Sequence, residues 1–125
     1  MKPNKIRILS TDFKIKWMDK EQEEIHDEFG HMSSSTQTIS ISSCLSPTKT
    51  ADTFLHELFH AIFYMASLDD IIKNVENEKE REELVCSQLG SILQTVIMQN
   101  PGVIEWYLEL LRKPSEPTME EILYP

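Results

Sequence analysis

The chain has 125 residues, a net charge of −9, 40% apolar and 26% charged residues. That length gives one domain with a single core, and the composition is that of a globular protein with no apolar run long enough to span a membrane. So acidic a chain argues against a nucleic-acid-binding surface. The N-terminus has Lys2, Lys5 and Arg7 but no apolar stretch behind them, so no signal peptide is expected. Cys44 and Cys86 have no Cys-x-x-Cys partner and read as buried thiols of a reducing compartment, the cytoplasm.

In chain order, residues 6–9 are short and apolar, and residues 13–17 alternate apolar with basic. Both read as strands, with a turn at Ser10, Thr11 and Asp12. Residues 19–25 are polar and weakly periodic, a helical turn or an exposed connection. The acidic runs at 19–28 and 76–83 read as solvated helix faces. Residues 29–35 hold Gly30 and three serines and read as a loop. Residues 36–42 alternate polar with β-branched residues, a strand with Ile39 and Ile41 facing the core. Ser46 or Thr48 can cap the next helix, with Pro47 in its first turn.

A long helix is expected over residues 47–66, ended or interrupted at residues 67–70; residues 71–77 stay ambiguous. A second long helix is expected over residues 78–99, with Val85, Leu89, Ile92, Leu93 and Val96 as its apolar stripe. Asn100, Pro101 and Gly102 stop it. Residues 103–111 form a shorter amphipathic helix that packs through Trp106, Leu110 and Tyr107. Residues 112–125, with three prolines, read as a tail lying along the surface or loose. The division is a domain over 1–111 and a tail over 112–125. The class is α+β: a few N-terminal strands against two long helices and a short C-terminal one.

The first long helix carries the one motif with chemistry in it, His56-Glu57-Leu58-Phe59-His60. At 100° per residue His60 falls about 40° from His56, Thr53 about 60°, Tyr64 about 80° and Glu57 about 100°. Leu55, Leu58, Phe59, Ile62, Phe63 and Met65 take the rest of the circumference, so the helix is apolar with one narrow polar stripe. Two imidazoles one turn apart point the same way and can bind one Zn²⁺, with Glu57 within reach of a water on that ion. Four His and fifteen Glu in the chain would produce this spacing by chance about once in seventy sequences. The bland alternative is two hydrogen-bonded core histidines and a surface Glu. The apolar setting argues against it, because buried ionisable groups cost free energy unless paired or metal-bound.

A catalytic zinc takes three protein ligands and an open position. The third is sought on the second long helix among Glu78, Glu80, Glu82 and Glu83. Periodicity slightly favours Glu82, which shares the axis of Leu89, Leu93 and Val96. Close packing favours Glu83, which lines up with Gly90 and is flanked by Cys86 and Ser87, small residues that would let two helix backbones approach. Tyr64 reads as a packing aromatic, and His31 as a surface histidine able to reach the mouth of the site. An extended substrate could pair with an edge strand such as residues 36–42.

The chain resembles the small phage and bacterial zincin-like metallopeptidases, and more distantly the ImmA/IrrE family. The likeness rests on x-H-E-x-x-H-A at residues 55–61 and on E-x-x-[small]-x-x-[apolar]-[small], met by Glu83, Cys86, Leu89 and Gly90. The Asn100-Pro101 pair and an Ile-x-Ile strand at Ile39 and Ile41 extend it over most of residues 5–111. The resemblance implies a gluzincin-type fold, Zn²⁺ as cofactor, and His56, His60 and Glu83 as ligands. It also implies Glu57 as the catalytic base and a peptide or protein as substrate. The chain lacks the C-terminal half and the E-A-N-x-F-A string of ImmA/IrrE. A protein of this fold that binds zinc without catalysis and serves as an interaction or assembly factor is the alternative.

Overall fold

A computed structural model describes residues 1–26, 28–113 and 122–124. Four strands are present among them: β1 (Lys5–Ile8), β2 (Thr11–Met18), β3 (Gly30–Ser33) and β4 (Thr38–Ser42). Five helices accompany them: α1 (Lys20–His26), α2 (Pro47–Met65), α3 (Leu68–Asn74), α4 (Glu78–Gln99) and α5 (Pro101–Arg112). The α+β class is therefore observed. No helix among the described residues is long and apolar enough to cross a membrane.

The sheet order is β1-β2-β4-β3. β1 and β2 form an antiparallel hairpin, turned by Leu9 in the left-handed region (φ 57°), so the turn comes one residue before the expected Ser10. β2 and β4 are parallel, with Ile15 opposite Ile39 and Trp17 opposite Ile41. Parallel neighbours need a crossover, and the chain makes it through α1 to β3 at the far edge before folding back into β4. Two expectations are corrected here. Residues 30–33 are a strand rather than part of a loop, because pairing with β4 outweighs the weak strand propensity of Gly and Ser. The strand at 38–42 is interior, lying between β2 and β3, and cannot serve as an open edge.

Alternation along the strands divides the sheet into two faces. Ile6, Ile8, Phe13, Ile15, Ile39 and Ile41 are buried on one, against Phe54, Leu58, Ala61 and Ile62 of α2, Ile92 and Val96 of α4 and Val103 of α5. Phe54 meets Trp106 edge to face at 5.1 Å and Tyr107 at 6.0 Å, so the expected packing role of α5 is present. Burying a side chain the size of Phe54 contributes about 2–3 kcal/mol. α2 starts where the sequence indicates: Ser46 is the N-cap, its hydroxyl accepting from the Lys49 N–H at 3.3 Å, with Pro47 at the first position. Ser67, left-handed at φ 51°, separates α2 from α3, the ambiguous stretch, which anchors through buried Leu68.

The outer edge of β1 is covered. Asn100, between α4 and α5, accepts the Arg7 N–H through Oδ1 at 2.8 Å and donates from Nδ2 to the Arg7 carbonyl at 2.7 Å. A side-chain amide thus stands where a fifth strand would pair.

Two further expectations change. Cys86 is exposed and Cys44 half-buried, because Cys86 lies on the solvent side of α4. The acidic run at 19–28 is not wholly solvated: Glu23 is buried and accepts a hydrogen bond from the Ser42 hydroxyl. Of the expected tail, residues 114–121 and 125 lie outside the described residues; Ile122, Leu123 and Tyr124 are exposed.

Candidate metal centre

The motif residues sit on the middle turns of α2. Thr53, Glu57, Leu58 and Ala61 are buried beneath the helix, while His56 and His60 stand in solvent. The polar stripe is therefore split, its His56 and His60 side facing solvent and its Thr53 and Glu57 side buried, and Tyr64, expected to pack, is half-exposed at its end.

The two imidazoles converge. His56 Nε2 and His60 Nε2 are 3.2 Å apart, with ring centroids at 4.8 Å and ring planes at 73°. Glu57 Oε2 lies 4.0 Å from His56 Nε2. One ligand atom from each of His56, Glu57 and His60 lies within 4.8 Å of the others, the one such group among the described residues, and it could hold a metal ion.

Glu57 is the electrostatically perturbed member. Burial pushes its carboxyl above the usual carboxylate range; the imidazoles of His56 and His60 oppose that when charged, Glu28 adds to it and His31 opposes it. What buries it is β3. A Cβ on Gly30 would fall 2.5 Å from Thr53 Cγ2 and 3.0 Å from both Cγ and Oε2 of Glu57, so only glycine lets the strand lie this close to α2. Beside it, His31 Nδ1 and Glu28 Oε1 form an ion pair at 2.9 Å, both side chains about half exposed. The electrostatic reach of this pair to Glu57 brings His31 to the neighbourhood of the site.

Glu83 and Glu82 do not join the group. Both are exposed on the N-terminal half of α4, whose buried residues, Ile92 and Val96, belong to the other half. The close helix approach expected at Gly90 is absent: nothing lies within 4 Å of a Cβ there. Close approach is instead made by Gly30, a residue the sequence reading passed over as a loop glycine. Its signal was weak, a lone Gly three residues before Ser33 with no flanking apolar alternation.

Comparison with protein-family models, curated proteins and solved structures returns no match. Function is therefore argued from the site itself.

Proposed function

We propose that the chain is a zinc-dependent metallopeptidase of zincin-like, gluzincin type, hydrolysing a polypeptide in a reducing, cytoplasmic setting. The observation that carries this reading is the convergence of His56 and His60 beside the buried Glu57. Two nitrogens each about 2.1 Å from one tetrahedral ion lie about 3.4 Å apart, and those of His56 and His60 are separated by 3.2 Å. The two imidazoles thus fit the metal with little rearrangement. Glu83 is the proposed third ligand on the sequence pattern; it is exposed on α4 outside the His56, Glu57 and His60 group, so α4 would have to bring it to the ion.

Bound there, Zn²⁺ would lower the pKa of a coordinated water to ~7 and polarise the scissile carbonyl. The chain's own part is proton handling. Glu57, with Oε2 4.0 Å from His56 Nε2, stands beside the place of the ion, within reach of a water bound there. A carboxylate whose proton affinity is raised by burial is a better base. It takes the proton of the attacking water and gives it to the leaving amine.

β3 supplies a place for substrate. Phe29 accepts from Ser42 across the β3·β4 ladder. Strict alternation from that bond turns the backbone groups of Gly30 and Met32 away from β4. Gly30 is buried against α2, so the accessible part of that edge begins at the partly exposed Met32, where an extended peptide can add to it. The alternative, a zinc-binding interaction or assembly protein without catalysis, draws on one observation: His56, with a side chain 66% exposed, sits on an open surface rather than in a cleft.

Elemental analysis of the purified protein tests the metal: near-stoichiometric zinc in the wild type, lost in Glu83→Ala but kept in Glu82→Ala. Loss only in Glu82→Ala moves the third ligand by one residue; no zinc after reconstitution ends the reading. Peptide-library cleavage, abolished in a zinc-loaded Glu57→Gln protein, tests catalysis; turnover that survives Glu57→Gln rejects it.

A further inference from the structure

The face of the sheet turned away from α2 carries a charge pattern that neither the core nor the candidate metal centre uses. Residues 1–18 hold Lys2, Lys5, Arg7, Lys14 and Lys16 against Asp12 alone, a balance of +4, which leaves −13 for the rest of a chain of −9. Strand alternation gathers most of this on one surface. Lys5, Lys14 and Lys16 are exposed, opposite in direction to buried Ile6, Phe13 and Ile15. Arg7 is paired with Asp12 at 3.0 Å. Lys5, Lys14 and Lys16 have no ion-pair partner among the described residues.

Two details set this apart from an ordinary solvated face. Lys5 and Lys14 are directly opposite in the β1·β2 register, an arrangement in which like charges destabilise the pair. In a chain with 21 acids and 12 bases, an acid at either position would relieve it. Next to them β4 places Thr38 opposite Lys14 and Ser40 opposite Lys16, short hydroxyl residues that leave the ammonium groups uncovered.

We propose that the Lys5, Lys14 and Lys16 part of this face, beyond the end that α1 covers at Met18 and Ser42, docks an acidic segment of a protein partner. Lys14 and Lys16 project two residues apart along one strand, about 6.8 Å, the spacing of same-side side chains in an extended peptide. Acids at alternate positions of such a segment meet both, while Lys5 gives a third contact from the neighbouring strand. Nucleic acid fits less well. Phe13 and Trp17 point to the other side, and the ring on this face, the His31 imidazole opposite Ser40, is paired with Glu28, which leaves no large aromatic platform for a base. A long polyanion would also run off the patch onto the −13 remainder. A lipid surface fits less well again, because Met18, the apolar strand residue on this face, is buried and offers nothing to insert.

The test is fluorescence anisotropy with the full chain and a labelled peptide of alternating Glu and Thr, about ten residues long to span the sheet. Binding is expected at low ionic strength and weaker as salt is raised. Substituting Lys5→Glu, Lys14→Glu and Lys16→Glu together should weaken it at least about tenfold. The same charge change off the face, Lys73→Glu with Lys79→Glu and Lys113→Glu, should leave it within about threefold. A milder Lys→Gln triple on the face, checked by circular dichroism, covers failure of the Glu variant to fold. No peptide binding by the wild type overturns the proposal, as does equal weakening by the two Glu triples. Tighter binding of single-stranded oligothymidylate than of the peptide overturns it in favour of nucleic acid. The readout needs no metal and no turnover, so it stands apart from the peptidase reading.

Discussion

Gly30 and Glu57 are in such close register that a methyl on the strand would sit 3.0 Å from the carboxylate oxygen of the helix. This one approach both buries the carboxyl and seats the start of β3 beside it. Gly30→Ala should therefore lower metal affinity or peptidase activity, and destabilise the fold by about 1–3 kcal/mol through overpacking. The nearest obstacle is Thr53 Cγ2 at 2.5 Å, so adding Thr53→Ser should restore part of the loss. A double-mutant cycle on zinc affinity and urea denaturation reads the coupling; strict additivity would mean the two residues do not press on each other.

Burial of Glu57 also gives a pH signature in metal-free protein. Its folded-state pKa is raised, so the neutral acid is the form the fold tolerates. The group's contribution to stability is complete below the ordinary carboxylate pKa and is lost as pH rises through the raised folded value. Glu57→Gln never acquires the charge. With chelator present, Glu57→Gln should be more stable than wild type at neutral pH, and the gap should close on acidification. Thermal denaturation at several pH values shows it. Adding zinc should shrink or reverse the gap, since a cation beside Glu57 favours its charged form.

Phe54 is 1% exposed and joins α2 to both Trp106 and Tyr107 of α5. Phe54→Ala should cost about 3–5 kcal/mol, a large share of the stability of a domain this size. Phe54→Leu should cost less, keeping most of the volume. Equilibrium unfolding in urea measures both.

Asn100 reaches two backbone groups of Arg7 and the carbonyl of Val96, the last at 2.8 Å. Asn100→Ala should destabilise by about 1–2 kcal/mol, because it leaves the part-buried N–H and C=O of Arg7 without their partner rather than only deleting a bond. It should leave zinc content unchanged. Asn100→Asp keeps the acceptor for the Arg7 N–H but loses both donations, and should destabilise as well.

The convergence of His56 and His60 was legible in the sequence because it depends on helical period alone, which four residues fix. The same is true of Ile39 and Ile41, whose alternation put them in the core where they are found. What the sequence hid was set by partners distant along the chain. Nothing within residues 29–35 says that β4 will pair with them, so the edge strand looked like a loop. Glu23 looked like one acid among many until the crossover through α1 brought it to Ser42. Gly90 and Cys86 matched a close-packing pattern, but a small residue permits an approach without causing one.

The bond from Arg7 to Asn100 spans 93 residues. On a ribosome the hairpin of β1 and β2 emerges early, with its outer edge open until the end of α4 has been made. For that interval the nascent chain has an unpaired strand edge facing solvent, the surface on which growing chains mispair. Its exposed Lys5 and the Arg7 side chain repel a second copy during that wait. A chain cut short before residue 100 would keep that edge open for its whole lifetime.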